Sequence, residues 1–156
     1  MQRNGFTLIE ILVVLVIMGV LLVSIAIKAF PDDQQILRQE ADRLGLLLEH
    51  ARDEAFLSGR SIAWSSQDQT YAFWQLNAER QWAPITSNQI LRLRTLPNAV
   101  TFSSLKINQV NVALNTLLVF SPSGLNTPFA ATLELHDHRV HLLGDSVGNI
   151  RIKNAN

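Results

Sequence analysis

From Phe6 to Ile27 the chain carries a single charge, Glu10, in a run that is otherwise apolar or small: Ile11-Leu12-Val13-Val14-Leu15-Val16-Ile17-Met18-Gly19-Val20-Leu21-Leu22-Val23-Ser24-Ile25-Ala26-Ile27. Coiled as an α-helix, at about 1.5 Å per residue, these residues reach roughly 33 Å. A bilayer's hydrocarbon core is about 30 Å thick. The run therefore predicts a transmembrane helix over residues 6–27.

Glu10 complicates that reading. A carboxylate near one end of a membrane helix costs a few kcal/mol unless it is paired or reaches the interface. Phe6 and Glu10 are spaced i, i+4 and share a helix face. Cutting the chain between Gly5 and Phe6 would place a new α-amine one turn from Glu10, in its own chain or a neighbour's. The positive end of the helix dipole would favour the same carboxylate. On these grounds alone the reading stays open between a processed helix and a plain anchor with a glutamate near its mouth. A conventional secretory signal has an apolar core of about 7–15 residues and a small-x-small cleavage site. Ser24-Ile25-Ala26 imitates such a site, but the run is too long and carries Glu10.

The polar leader Met1-Gln2-Arg3-Asn4, then Gly5-Phe6-Thr7-Leu8-Ile9-Glu10, then about twenty apolar residues, resembles the amino-terminal signal of type IV pilins and of the pseudopilins of type II secretion. The resemblance implies that a prepilin peptidase cuts after Gly5 and methylates the new amino terminus at Phe6. It implies that Glu10 sets subunit register during assembly. Its implied fold is pilin-like, of the α+β class. A long N-terminal helix, half membrane and half amphipathic, packs on an antiparallel β-sheet or β-sandwich domain.

The rest of the chain fits one small domain. The whole chain has 156 residues, a formal net charge of +0 and no cysteine. No overall basic excess favours nucleic acid, and neither a disulfide framework nor thiolate chemistry is available. Arg3 precedes the span, and Lys28, Asp32 and Asp33 follow it. The positive-inside rule barely separates those flanks. Pro31 predicts a kink or short break. From about Gln34 to Leu57, Leu37, Ala41, Leu44, Leu48, Ala51 and Ala55 recur at spacings of four and three. That is one apolar helix stripe, suited to packing on a sheet, with Gly59 as its stop. The expected organisation is a leader at 1–5, a membrane or filament-core helix at 6–27, an amphipathic continuation at 28–58 and an antiparallel β domain at 59–156.

Beyond Arg60 the period changes to two. Strands are expected at Ile62–Trp64, Thr70–Leu76, Gln81–Pro84, Ile90–Arg94, Val100–Phe102, Leu117–Phe120, Ala131–Leu135, Val140–Leu143 and Asn149–Ile152. Between Ser103 and Leu114 the pattern is ambiguous and reads as a mobile loop with a short strand. Trp82 in Gln-Trp-x-Pro, the run Leu91-Arg92-Leu93-Arg94-Thr95-Leu96-Pro97 and Phe120-Ser121-Pro122-Ser123-Gly124 resemble the globular domain of the H-type minor pseudopilin of type II secretion. The closing strand, glycine and Ile150-Arg151-Ile152 do so as well.

That resemblance implies a structural subunit near the tip of a periplasmic pseudopilus, anchored by one pass in the inner membrane with its C-terminal domain in the periplasm. Implied partners are the prepilin peptidase, other minor pseudopilins, the major pseudopilin and, before assembly, inner-membrane lipid. No small-molecule substrate and no cofactor are expected. His136, His138 and His141 with Asp137 read as turn histidines rather than a metal site. No nucleophile motif, phosphate loop or carboxylate pair appears, so no enzyme is expected. Tyr71, Phe73, Trp74 and Trp82 read as core or cross-strand aromatics rather than a binding platform. The alternative is a DNA-binding minor pilin, which this domain also resembles. Those proteins carry Gly-Arg-x-Arg near the C-terminus. Here the stretch is Gly148-Asn149-Ile150-Arg151, which lacks the first arginine, with Lys153 and Arg139 as partial substitutes.

Overall fold

The computed structural model describes residues 7–26, 32–97 and 99–155. The chain divides between Asp32 and Asp33 into two compact units.

In the first unit, α1 (Leu8–Ala26) is a helix of 19 residues. It falls within the expected span, whose ends at Phe6 and Ile27 lie outside the described residues. Nineteen residues rise about 28 Å, slightly less than the ~30 Å hydrocarbon core. Among the described residues no helix is long and apolar enough to cross a membrane. The break expected at Pro31 also lies outside them.

The second unit begins with α2 (Asp33–Ser58), within a residue of its expected limits at each end. Asp33 in the first turn complements the helix dipole, and the helix ends at Gly59, with φ +67°. The predicted stripe is the buried one: Leu37, Ala41, Leu44, Leu48, Ala51 and Ala55 are all fully buried. Among the described residues ten strands follow: β1 (Ile62–Gln67), β2 (Thr70–Leu76), β3 (Trp82–Pro84), β4 (Arg94–Thr95), β5 (Thr101–Ile107), β6 (Val110–Val112), β7 (Leu118–Phe120), β8 (Phe129–Leu135), β9 (His138–Gly144) and β10 (Ile150–Asn154). They form two antiparallel sheets. One runs β3-β2-β1-β7, with β4 also paired to β2; the other runs β10-β9-β8-β5-β6. The architecture is α+β, as expected.

Alternation along the strands decides which face is buried. Ile62, Trp64, Tyr71, Phe73, Leu118 and Phe120 supply the first sheet's inner face, and Leu105, Ala131, Leu133, Val140 and Leu142 the second's. The stripe of α2 joins both into one core. Trp64 meets Phe102 edge-on at 5.5 Å between ring centroids, a preferred aromatic geometry that links the two sheets. Strand β10 has only β9 beside it, and its Ile150 N–H donates to the Glu49 carboxylate of α2 at 3.4 Å. A helix side chain thus covers part of an edge that would otherwise template further pairing.

Two expectations for the strands are corrected. Residues 103–114 are not mainly loop: β5 and β6 form a hairpin through Asn108 and Gln109, both in the left-handed region at φ 50° and 66°. Such a pair makes the two-residue turn that matches strand twist, but it lacks the glycine that usually announces it. A register shift between Phe102 and Ser104 also moves the next buried residue to Leu105, so the period of two is lost at Ser103. The strand expected over 90–94 is reduced to Arg94–Thr95. The Asn88 side chain accepts the N–H groups of Ile90, at 2.8 Å, and Leu91, at 3.3 Å, bending the chain locally. Leu91 is then fully buried while Leu93 is exposed.

Two leucines on α2 separate packing from propensity. Leu48→Ala should cost about 2–5 kcal/mol, because a buried cavity is left behind. Leu46→Ala, on the exposed side, should change stability by no more than about 0.5 kcal/mol. Urea unfolding followed by fluorescence of the buried Trp64 measures both.

Candidate functional site

α1 enters from Thr7, whose carbonyl accepts the N–H of Glu10 at 3.0 Å and of Ile11 at 3.4 Å. Glu10 thus stands in the first helical turn, where the helix dipole is positive, and its side chain is exposed. It is the only acidic residue there, and no basic residue occupies the last turn. Leu8, Ile9, Leu12, Leu15, Met18 and Leu21 are all more than half exposed. A helix apolar on every side has no solvent-facing stripe, so it must be covered by lipid or by other helices. The arrangement is an apolar cylinder with one carboxylate at its amino-terminal end. Gly5 and Phe6, the residues expected to be cut and modified, lie outside the described residues.

The other candidates scatter through the second unit. His136 Nδ1 lies 2.7 Å from Asp33 Oδ2 and ties the β8–β9 turn to the start of α2. His141 Nδ1 is 3.0 Å from Thr132 Oγ1, and Ser104 Oγ donates to the same hydroxyl at 2.9 Å. Among the described residues no group of three metal-ligating side chains is placed to hold an ion. The aromatic group is split by strand alternation. Tyr71 and Phe73 are buried, whereas Trp74 is half-buried with its indole N–H on Ser65 Oγ at 2.9 Å. Burial also pushes the Tyr71 phenol above its ordinary value.

The Gly148-Asn149-Ile150-Arg151 stretch has a structural task. Asn149 donates to the Asp145 carboxylate twice, from its backbone N–H at 2.9 Å and its side-chain amide at 3.1 Å. Val147 N–H adds a third bond at 3.0 Å. Gly148 has φ +87°, a conformation that favours glycine, and its carbonyl accepts the Arg52 guanidinium at 2.7 Å. Asn149, where a Gly-Arg-x-Arg pattern would carry its first arginine, is therefore held by its own turn. Arg139 is also engaged, donating to Glu134 at 2.9 Å. That bond holds the Glu134 carboxyl below its usual range. Arg52 and Asp145 escaped the sequence reading because each looks like an ordinary surface charge until the fold brings its partners together.

Asp145 is held below the usual aspartate range, chiefly by the Asn149 N–H. With the folded value depressed, the turn's carboxylate bonds are intact above the unfolded value and are lost as pH falls through the folded one. Hydrogen exchange at the Asn149 amide should therefore lose protection as pH falls through the depressed Asp145 value. Asp145→Ala should remove that protection at neutral pH as well, with the helix amides of α2 unchanged.

Residues 40–152 match the sequence model of a family described as type II transport protein GspH. Residues 1–26 match the prokaryotic N-terminal methylation motif. A curated relative, type II secretion system protein H of Aeromonas hydrophila, is 26% identical over 97% of this chain and 93% of its own length. A crystal structure of the minor pseudopilin EpsH from the type II secretion system of Vibrio cholerae aligns with a TM-score of 0.66 at 16% identity, covering 80% of this chain and 98% of that one. The solution structure of E. coli GspH aligns at 0.63 and 17% identity, over 78% and 90% of the two chains. At those identities the structures speak for the shared fold.

Proposed function

The chain belongs to the GspH family of type II transport proteins, the H-type minor pseudopilins of type II secretion, and from that premise we propose how it is processed, anchored and assembled. A prepilin peptidase cuts between Gly5 and Phe6, and the new amine of Phe6 is methylated. The match of residues 1–26 to the N-terminal methylation motif supports this step. Before assembly the apolar helix rests in the inner membrane as a single pass, with the β domain in the periplasm. The subunit then joins the other minor pseudopilins and the major pseudopilin near the pseudopilus tip.

The observation that carries this reading is α1 itself: exposed apolar side chains on every side, with Glu10 alone in its first turn. In lipid that carboxylate costs a few kcal/mol. A neighbouring subunit's Phe6 amine offers it a charge-assisted partner. The carboxylate is thus satisfied in the docked state and not in the isolated one, and only such a difference between states favours docking. Because the two groups meet at one axial position, the pair also sets register between helices.

Mass spectrometry of the mature chain should find an N-methylated Phe6 as the first residue. Glu10→Ala should insert and be cleaved normally, yet co-purify with the other pseudopilins at about a tenth of the wild-type level or less, the loss of about 1.4 kcal/mol or more of pairing. Normal secretion and co-purification by that variant would overturn the register role.

A further inference from the structure

Strand alternation gives the first sheet an outer face of its own. Tyr71 and Phe73 turn inward to the core, so Thr70, Ala72 and Trp74 of β2 turn outward. Register sets Ser65 of β1 opposite Ala72, and Gln67 opposite Thr70. Directly opposed residues share a face. Ser65 and Ala72 are small, and larger side chains surround them. Trp74 stands at one end and the Gln67–Thr70 pair at the other. Leu93, which precedes β4, lies beyond β2; Asn115 and Leu117, which precede β7, lie beyond β1. The result is an open depression of about 230 Å³ with the small pair as its floor.

Three properties of this depression select a ligand. No charged side chain lines it, so a phosphate, carboxylate or ammonium group would find no counter-charge there. Uncharged hydrogen-bonding groups with spare capacity do line it. Among the described residues the exposed Gln67 and Asn115 side-chain amides hold no protein partner. The Thr70 hydroxyl donates to the Gln67 carbonyl at 3.0 Å and keeps its lone pairs. A wholly apolar ligand would leave these groups unpaired. The third property is a held aromatic ring. The Trp74 indole N–H donates to Ser65 Oγ at 2.9 Å, so the half-buried ring is fixed before a ligand arrives. A side chain already ordered loses little freedom on binding.

We propose that this depression binds a neutral oligosaccharide, with one sugar ring over Ser65 and Ala72, its C–H face against Trp74 and its hydroxyls on Gln67, Asn115 and Thr70. A pyranose ring joins a flat face of C–H groups to a rim of hydroxyls. The C–H face buries apolar area on the indole and meets the negative face of its π-system. The hydroxyls both donate and accept, as do the amides around them. Ala72, Trp74 and Leu93 also line a second depression of about 500 Å³, with Pro84, Ile85 and Arg92. A chain longer than one ring can continue into it. Trp74 thereby has a task beyond cross-strand packing. Both depressions are open, so the expected affinity is weak, with half-saturation at about 1–10 mM.

The test uses the full-length chain in a detergent whose headgroup is not a sugar. Isotopic labelling of tryptophan nitrogen gives three indole N–H signals in the NMR spectrum, from Trp64, Trp74 and Trp82. Trp74→Phe and Trp82→Phe assign them. The trimer of N-acetylglucosamine, chitotriose, should shift the Trp74 signal saturably in the range of about 1–10 mM and leave that of the buried Trp64 in place. Gln67→Ala and Asn115→Ala, both at exposed positions, should each raise the half-saturation about fivefold, the weight of one hydrogen bond. An unmoved Trp64 signal in those variants shows that the fold is retained. The proposal is overturned if chitotriose, cellotriose and maltotriose all fail to give a saturable Trp74 shift at about 50 mM. It is overturned equally if hexanediol gives the same response, or if neither alanine variant changes the half-saturation.

Discussion

The second unit depends on one packed surface, the apolar stripe of α2 against the inner faces of both sheets. Six stripe positions are fully buried, and burial of side chains this size is the dominant favourable contribution to folding. Neither sheet is built to stand alone. β4 has two residues, and β3, β6 and β7 three each, too short for independent stability. The helix supplies a shared apolar wall and, through Glu49 and Arg52, fastens the ends of the closing segment at Ile150 and Gly148.

The contrast between the two helices follows from their side-chain distributions. α2 has one apolar stripe, and its own domain covers it. α1 has apolar residues on all sides, and they are exposed within its unit. A surface of that kind and extent marks a site of association. Charge divides similarly. The three basic groups of α2 lie beside its carboxylates, whereas Lys106, Arg151 and Lys153 on the second sheet are without a counter-ion among the described residues. The chain is neutral as a whole but polarised by face, a property that total charge conceals.

Local rules failed where a side chain or a turn replaced the expected period. The β5–β6 hairpin has the sequence pattern of a loop because a bulge moves burial from the alternating series to Phe102 and Leu105, and because Asn108 and Gln109 form the turn without glycine. The strand expected at Ile90–Arg94 dissolves because Asn88 captures two backbone N–H groups. Such effects depend on geometry rather than composition, so periodicity alone does not expose them. The long, strongly periodic α2 and the alternating β2 are legible in the sequence to within a residue at each end, since their signals repeat many times along the chain.

The sequence by itself determined the amino-terminal segment: an apolar run with one carboxylate at a fixed distance from Gly5 and Phe6. That information is linear, because helix geometry converts spacing directly into position. It also determined the buried stripe of α2, by the same periodicity. Only the tertiary structure decided that Asn149 serves its own turn through Asp145, that Arg52 reaches Gly148 across 96 positions, and that Arg151 and Lys106 share one row across the second sheet. Those relations join residues far apart in the chain. They exist only once strand register has set which residues stand opposite one another, and register is fixed by the core on the other face of the sheet.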